Sequence, residues 1–247
     1  MLEAFLIIFL IQIIFFAFAS LFKTDKVTDL SYGLTFILLA LYFLLKGGSL
    51  LLLILPILWG FRLSTYLFIR IMKIKKDQRF DGVREQFWSF AKFWFLQAVS
   101  IFIISLPFIL VSLNNFSLQL NYLALLIFAI GLVTETIADW QKYQFKNQTT
   151  NQGKFIQTGL WKYSRHPNYF GEMLVWWGIY LLCFSGLQGM QHLAIVSPIY
   201  ITVLLLFVSG VPTLEKNYAQ KYGSSWLNYK QQTSLIIPWF RSVAHNH

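Results

Sequence analysis

The sequence predicts an all-α membrane protein, a polytopic helical bundle of about seven transmembrane helices with a C-terminal amphipathic cytoplasmic helix. Three observations carry this. Of the 247 residues, 57% are hydrophobic and only 12% are charged, roughly half the charged share of a soluble domain. Mean hydropathy is +0.57. The apolar residues fall in long runs, with basic residues collected between them. A helix that crosses a bilayer needs about 20 apolar residues, so one bundle uses nearly the whole chain.

The runs lie at 2–22, 30–45, 49–69, 93–113, 120–138, 169–187 and 192–211. The first lacks a basic leader and is long for a signal peptide, so it is expected to be retained as the first span. Pro56, Pro107 and Pro198 fall within or near the ends of runs, where a kink is tolerated because neighbouring helices satisfy the freed backbone. No internal repeat and no flexible linker divides the chain.

The loops set the orientation. Basic residues crowd 70–92 and 139–168, whereas 114–119 and 188–191 carry no charge. Heavy and empty loops alternate, as an odd number of spans requires. All of the 20 Lys and Arg except Lys46 and Arg62 fall on one side. That side is expected to be cytoplasmic, with the C-terminus on it and the N-terminus facing outward. The net charge of +10 is therefore topological, and no nucleic-acid partner is expected. The lone cysteine, Cys183, sits in an apolar run and gives no disulfide and no thiolate metal site. The four histidines, His166, His192, His245 and His247, have no metal-ligand spacing.

The strongest local signal is GLWKYSRHPNYFGE, 159–172. It lies where a basic loop re-enters the membrane. Pro167 suits the first turn of the sixth span, which would cluster Arg165, His166, Asn168, Tyr169 and Glu172 at a helix N-terminus. Free N–H groups and the positive dipole end suit an anion there. An interfacial belt that merely anchors the span is the alternative. The second signal is GLVTETIADWQKYQFK, 131–146, where Glu135, Asp139, Lys142 and Lys146 fall near one helical stripe. Carboxylates so placed could accept ribose hydroxyls and the lysines could meet phosphates. A structural ion pair to Arg62 or Arg165 is the alternative. An ionisable residue within a span is a functional candidate by default, which also singles out Arg62, with Tyr66 one turn on. The tail is polar and aromatic, and Tyr218 and Tyr222 follow Glu215 on roughly one face, so an amphipathic helix ending before Pro238 is expected. No G-x-G-x-x-G, P-loop or G-x-S-x-G pattern is present. A nucleotide would have to be held by helix ends and loops of the bundle itself.

GLWKYSRHPNYFGE, with LEKNYAQKYGSSWLNYKQQTSLIIPWF downstream, resembles the C-terminal domain of steroid 5-alpha reductases. LWGFRLSTYLFIR, KDQRFD and the 131–146 block resemble one branch of that superfamily, common in bacteria and still labelled a domain of unknown function. This resemblance covers roughly 25–240. It implies a seven-helix membrane reductase that takes NADPH from the cytoplasm and reduces a carbon–carbon double bond in a hydrophobic lipid or steroid-like enone. By resemblance, Glu135 falls where the reductases carry a nucleotide-contacting Asn, and Asp139 falls on a matching Asp. Lys146 falls on a basic residue, Asn168 and Glu172 on a matching Asn and Glu, and Tyr218 on a tail tyrosine. Together with Arg165, His166, Tyr169 and Glu215 these form the expected cofactor set within 120–240, leaving 1–113 as the variable substrate side. The family's carbonyl-polarising Glu has no counterpart, and its Tyr meets Gly60. Tyr66 and Arg62 are then the catalytic candidates, with Tyr32 as a further one.

The R-H-P-x-Y-x-G motif is also similar to isoprenylcysteine carboxyl methyltransferases, which bind S-adenosylmethionine. Their tails usually carry paired glutamates, whereas Lys216 follows Glu215 here. A non-enzymatic lipid-binding protein of the same fold is a third reading. A bacterial inner membrane is expected, or the endoplasmic reticulum in a eukaryote. Nothing in the sequence requires an oligomer.

Overall fold

The structure is a computed structural model and describes residues 1–74, 80–114 and 118–239. His245, His247 and part of the KDQRFD stretch lie outside the described residues. The elements in chain order are α1 (Leu2–Leu21), α2 (Thr28–Leu45), α3 (Leu50–Ile74), α4 (Phe87–Asn114), α5 (Tyr122–Asn147), α6 (Pro167–Cys183), α7 (Val196–Val203), α8 (Val211–Glu215) and α9 (Tyr218–Gln232), with short 3-10 turns between several of them. No β-strand occurs among the described residues. Helices are what a bilayer demands, since each backbone N–H and C=O must find its partner inside the segment.

Six helical runs are long and apolar enough to cross a membrane. They are α1 to α5 and the run Gly189–Glu215, which contains α7 and α8. The remaining expected span, α6, is 17 residues long, about 26 Å at 1.5 Å per residue and at the short end of what spans a bilayer. It stops at Cys183 in a 3-10 turn, Phe184–Gly186, although the apolar run continues to Leu187. The protein is thus a multi-pass membrane protein. Its outer faces fit that setting: Leu6, Leu10, Ile13 and Ile14 of α1 are all more than half exposed, a stripe that water would penalise and lipid would not.

Packing divides the chain into two units. The first holds 1–125 and 178–197. Within it α2 and α3 approach closely at glycines. A Cβ on Gly33 would meet the Gly60 carbonyl oxygen at 2.8 Å, and a Cβ on Gly60 would meet the Gly33 carbonyl oxygen at 2.8 Å. Small residues at such a crossing let backbones pack in the absence of a hydrophobic drive between helices. Beside it Trp59 is fully buried and stands edge-on to Phe36 at 5.2 Å and to Tyr32 at 6.1 Å. A polar cluster joins α1, α2 and α4. Gln97 Nε2 donates to Gln12 Oε1 at 2.8 Å and to Ser31 Oγ at 3.0 Å, and Gln12 Nε2 donates to Thr35 Oγ1 at 2.7 Å. Two basic residues of the 70–92 segment are structurally engaged. Arg84 pairs with Asp25 at 2.6 Å, both side chains buried, and Arg70 pairs with Asp29 at 2.8 Å.

The second unit holds 126–177 and 198–247. Here α5 and α6 meet at Gly131 and Gly171. A Cβ on Gly171 would lie 2.6 Å from the Glu135 backbone nitrogen and 2.7 Å from the Gly131 carbonyl oxygen. After α7 the chain takes one π-helical turn, Leu204–Val208, and breaks at Ser209–Gly210. Pro212 sits in the first turn of α8, where its missing N–H costs nothing. The sequence from there to α9 delivers Glu215 and Tyr218 to the site described next.

Candidate cofactor-binding site

The site lies in the second unit and is built by the C-terminal half of α5, the 148–166 loop, the start of α6, α8 and α9. α5 runs nine residues past the apolar run, to Asn147, so Asp139, Lys142 and Lys146 are carried on a rigid helix. The loop turns back beneath it. Asn151 Nδ2 donates to the Phe145 carbonyl at 3.1 Å, satisfying an end of α5. Gly153 then takes φ +74°, a left-handed turn that a glycine adopts without penalty. This places Lys154, Phe155 and Ile156 on the return path.

Trp161 fixes the floor. Its Nε1 donates to the Ala138 carbonyl at 3.0 Å, and Lys142 Nζ stands 4.8 Å from its ring centre. Tyr229 of α9 donates its hydroxyl to the Trp161 carbonyl at 2.5 Å. The segment after α9 clasps the same loop: Arg165 N donates to the Ser234 carbonyl at 2.8 Å and Ser164 Oγ to the Ile236 carbonyl at 2.7 Å.

α6 starts at Pro167, as the RHP motif predicts. Just before it, Arg165 and His166 both engage Glu215. Arg165 Nη1 lies 2.8 and 3.0 Å from the two carboxylate oxygens, and His166 Nε2 lies 2.8 Å from Oε1. Arg165 also stands over the Trp226 ring at 5.9 Å, and His166 stacks on Tyr169 at 5.2 Å, the rings within 6° of parallel. The ion-pair partner of Arg165 is therefore Glu215.

Burial holds the His166 imidazole below its ordinary value, with Lys142 and Arg165 pushing the same way against Glu215. Near neutral pH the ring is uncharged. With Nε2 facing a carboxylate, the proton belongs on Nε2, and Nδ1 is left as an acceptor. His166 Nδ1, Arg165 Nε and Asn168 Oδ1 are buried with no hydrogen-bond partner among the described residues. Burial, together with Tyr222 and Glu215, pushes the Tyr218 phenol up to about 12.

These groups line a small cavity of about 60 Å³. Its wall carries four cationic side chains, Lys142, Lys146, Lys154 and Arg165, and the aromatic side chains Phe145, Phe155, Trp161, Tyr218, Tyr222, Trp226 and Tyr229. No Asp or Glu lies on that wall among the described residues. Phe155 is central, 4.9 Å from Tyr222 and 5.2 Å from both Trp226 and Tyr229.

Of the residues singled out by sequence, Lys142, Lys146, Arg165, His166, Tyr218 and Tyr222 line the cavity. Glu215 holds two of them in place and Tyr169 braces His166. Glu135 and Asp139 are buried on α5, at 2% and 5% exposure. They, with Asn168 and Glu172, are not on its wall. Glu135 backs onto Gly171, at the helix crossing. Arg62 and Tyr66 belong to the first unit, where the guanidinium stands 5.7 Å from the Tyr66 ring centre. Sequence reasoning missed Lys154, Phe155 and Trp226. Trp226 was within reach, since Tyr218, Tyr222 and Trp226 recur at every fourth residue. Lys154 and Phe155 lie in a loop with no periodicity to reveal them. No group of three or more His, Cys, Asp or Glu that could hold a metal ion occurs among the described residues.

The match of a family model to most of the chain makes this helical membrane bundle a member of the steroid 5-alpha reductase-like superfamily. Within it the chain belongs to the family described as Protein of unknown function (DUF1295), which matches residues 15–233. Among curated proteins it is similar to methanethiol S-methyltransferase 1 of Bradyrhizobium diazoefficiens, 33% identical over 84 residues, 34% of this chain and 26% of that protein. It is similar to the delta(14)-sterol reductase of Arabidopsis thaliana, 28% identical over 125 residues, 46% of this chain and 31% of that protein. The probable O-methyltransferase ustE of Ustilaginoidea virens is 38% identical over 66 residues, 27% of this chain and 23% of that protein. The matches span about a quarter to a third of each relative's length. No solved structure gives a significant match.

Proposed function

We propose that the protein is an NADPH-dependent membrane reductase of a carbon–carbon double bond in a hydrophobic lipid or steroid-like enone. The observation that carries this reading is the charge of the cavity wall. Three lysines and an arginine line it, and the Glu215 carboxylate is neutralised by Arg165 and hydrogen-bonded by His166. Such a wall suits a polyanionic pyrophosphate. The flat faces of Phe155, Tyr222 and Trp226 suit a nucleobase or nicotinamide. The unsatisfied acceptor His166 Nδ1, on the wall, suits a ribose hydroxyl or carboxamide donor.

Lys142, Lys146 and Lys154 would hold and orient the phosphates, with Arg165, fixed by Glu215, as the fourth cation of the wall. A bound coenzyme would supply a hydride to one alkene carbon. The other carbon would take a proton from a tyrosine or water, and Tyr66 and Arg62 stay the proposed catalytic residues on sequence grounds alone. Proton and hydride together saturate the double bond and leave the oxidised coenzyme. The lysine-rich face is the cytoplasmic one, from which a charged coenzyme arrives, and the lipid enters from the bilayer. Glu135, Asp139, Asn168 and Glu172 complete the proposed set as the helix-borne polar groups around α5 and α6. A bacterial inner membrane is the proposed location.

A second reading, an S-adenosylmethionine-dependent methyltransferase, is favoured by two of the named relatives and by the aromatic faces, which attract a sulfonium cation. The four cations on the wall oppose a cationic ligand. Thermal-shift measurements on the detergent-purified protein separate the two. Stabilisation by NADPH supports the reductase, and stabilisation by the methyl donor alone overturns it.

A further inference from the structure

The cationic cavity does not end at Phe155 and Tyr222. On their other side lies an open groove of about 520 Å³, lined by Phe145, Gly153, Lys154, Phe155, Gln157, Thr158, Lys221, Tyr222 and Ser225. Phe145, Lys154, Phe155 and Tyr222 are walls of both spaces. Resting on the coenzyme reading above, we propose that this groove seats the adenosine end of the coenzyme and that Lys221, with Lys154, selects for a 2′-phosphate.

Size is the first argument. Pockets for drug-sized ligands run to roughly 300–1,000 Å³. The groove, at about 520 Å³, lies within that range and the inner cavity, at about 60 Å³, well below it, so the inner cavity alone does not hold a dinucleotide, an elongated pair of nucleotides. It needs a second compartment reached without leaving the cationic wall, and the groove is that compartment. Lys154 stands at the junction, where the pyrophosphate would pass.

Chemistry is the second argument. The groove wall pairs two lysines with donors of a different kind, the Gln157 amide and the Thr158 and Ser225 hydroxyls. No carboxylate lies on it among the described residues. A phosphomonoester carries close to two charges and three acceptor oxygens at neutral pH, and lysine meets phosphate as a point charge. A bare ribose hydroxyl, as in NADH, gives those lysines nothing to neutralise. The Phe155 and Tyr222 rings, 4.9 Å apart at a 56° tilt, offer an apolar face to the adenine between the two charged ends.

Geometry is the third. Gly153, with φ +74°, turns the loop so that Lys154 faces α9. At Gly223, with φ +58° and ψ −139°, α9 breaks its helical path two residues after Lys221. The two lysines are thus delivered by two independent backbone turns, one from each side of the groove.

The test uses the full chain in detergent, free of phospholipid so that no lipid headgroup competes. Affinities for NADPH and NADH are measured on wild type, Lys221→Glu and Lys221→Arg. Lys221 is exposed, so neither variant is expected to affect folding. Wild type should prefer NADPH, Lys221→Glu should lose about tenfold or more of NADPH affinity with NADH unchanged, and Lys221→Arg should keep the preference. Competition should be stronger by 2′,5′-ADP than by 5′-ADP in wild type, and equal in Lys221→Glu. Equal binding of both coenzymes by wild type, or equal losses for both in Lys221→Glu, overturns the assignment of the groove while leaving the reductase reading intact. Failure of wild type to bind either coenzyme overturns that reading itself.

Discussion

His166 Nε2 lies 2.8 Å from the Glu215 carboxylate, whose other oxygen is 2.8 Å from Arg165. This contact joins the start of α6 to the end of α8, across 49 residues of chain. The three side chains are almost wholly withdrawn from solvent, at 3%, 11% and 9% exposure for His166, Glu215 and Arg165. Removing one member leaves the others desolvated and unpaired. Glu215→Ala is therefore expected to cost about 3–5 kcal/mol. Glu215→Gln keeps two hydrogen-bonding atoms and should cost less. Melting of both variants in detergent checks the order. A melting temperature unchanged in Glu215→Ala would show that the cluster does not hold the unit together.

The same contact sets a pH dependence. The folded His166 has its pKa lowered from 6.5, chiefly by burial. Below the unfolded value the unfolded chain gains a proton that the folded ring resists. Stability is then present in full above about pH 6.5 and declines as pH falls from there. The melting temperature followed from about pH 8 to pH 5 should fall, and the fall should be shallower in His166→Gln. A melting temperature that rises toward pH 5 would mean that Glu215 stabilises the imidazolium more than burial opposes it.

The α5–α6 crossing has no room for a side chain. A Cβ at Gly171 would stand 2.6 Å from the Glu135 nitrogen, which is backbone and must move as a helix. Gly171→Ala is expected to destabilise by about 1–3 kcal/mol. Because Glu135, Lys142 and Lys146 share α5, it should also weaken coenzyme binding. Gly153→Ala, where a Cβ meets nothing within 4 Å but φ is +74°, should act only through backbone strain of about 1 kcal/mol. Comparing the two by melting and by binding separates helix spacing from loop shape.

Tyr229 is 3% exposed and its hydroxyl donates to the Trp161 carbonyl. Tyr229→Phe keeps the ring against Phe155 and loses one hydrogen bond, at an expected cost of about 1–2 kcal/mol. The floor under Lys142 loosens with it, so the variant should lose coenzyme affinity beyond what its melting temperature suggests. Unchanged affinity would show that α9 closes the cavity without positioning Trp161.

The membrane spans were legible because hydropathy reports where lipid begins and ends. Helix ends were not. The apolar run of α5 stops at 138, yet the helix continues to Asn147, because Asp139, Lys142 and Lys146 are compatible with a helix that has left the bilayer. α6 fails in the other direction, ending at Cys183 while apolar residues continue. For the site, Lys146, Arg165, His166 and Tyr218 could be read from motif and spacing, since each sits on or beside a regular element. The pairing of His166 with Glu215 could not, because no local pattern encodes a contact between residues so far apart. Lys154 and Phe155 were hidden for a related reason. They reach the cavity through the positive φ of Gly153, and a loop has no period from which to read a face.

The central claim is that the cationic cavity binds a polyanionic coenzyme. Calorimetric titration of the purified protein with NADPH and, separately, with S-adenosylmethionine tests it most directly, on wild type and on Lys142→Glu/Lys146→Glu. Saturable NADPH binding that is lost in the double variant, with no binding of S-adenosylmethionine, is the result expected. Saturable binding of S-adenosylmethionine with none of NADPH would contradict it.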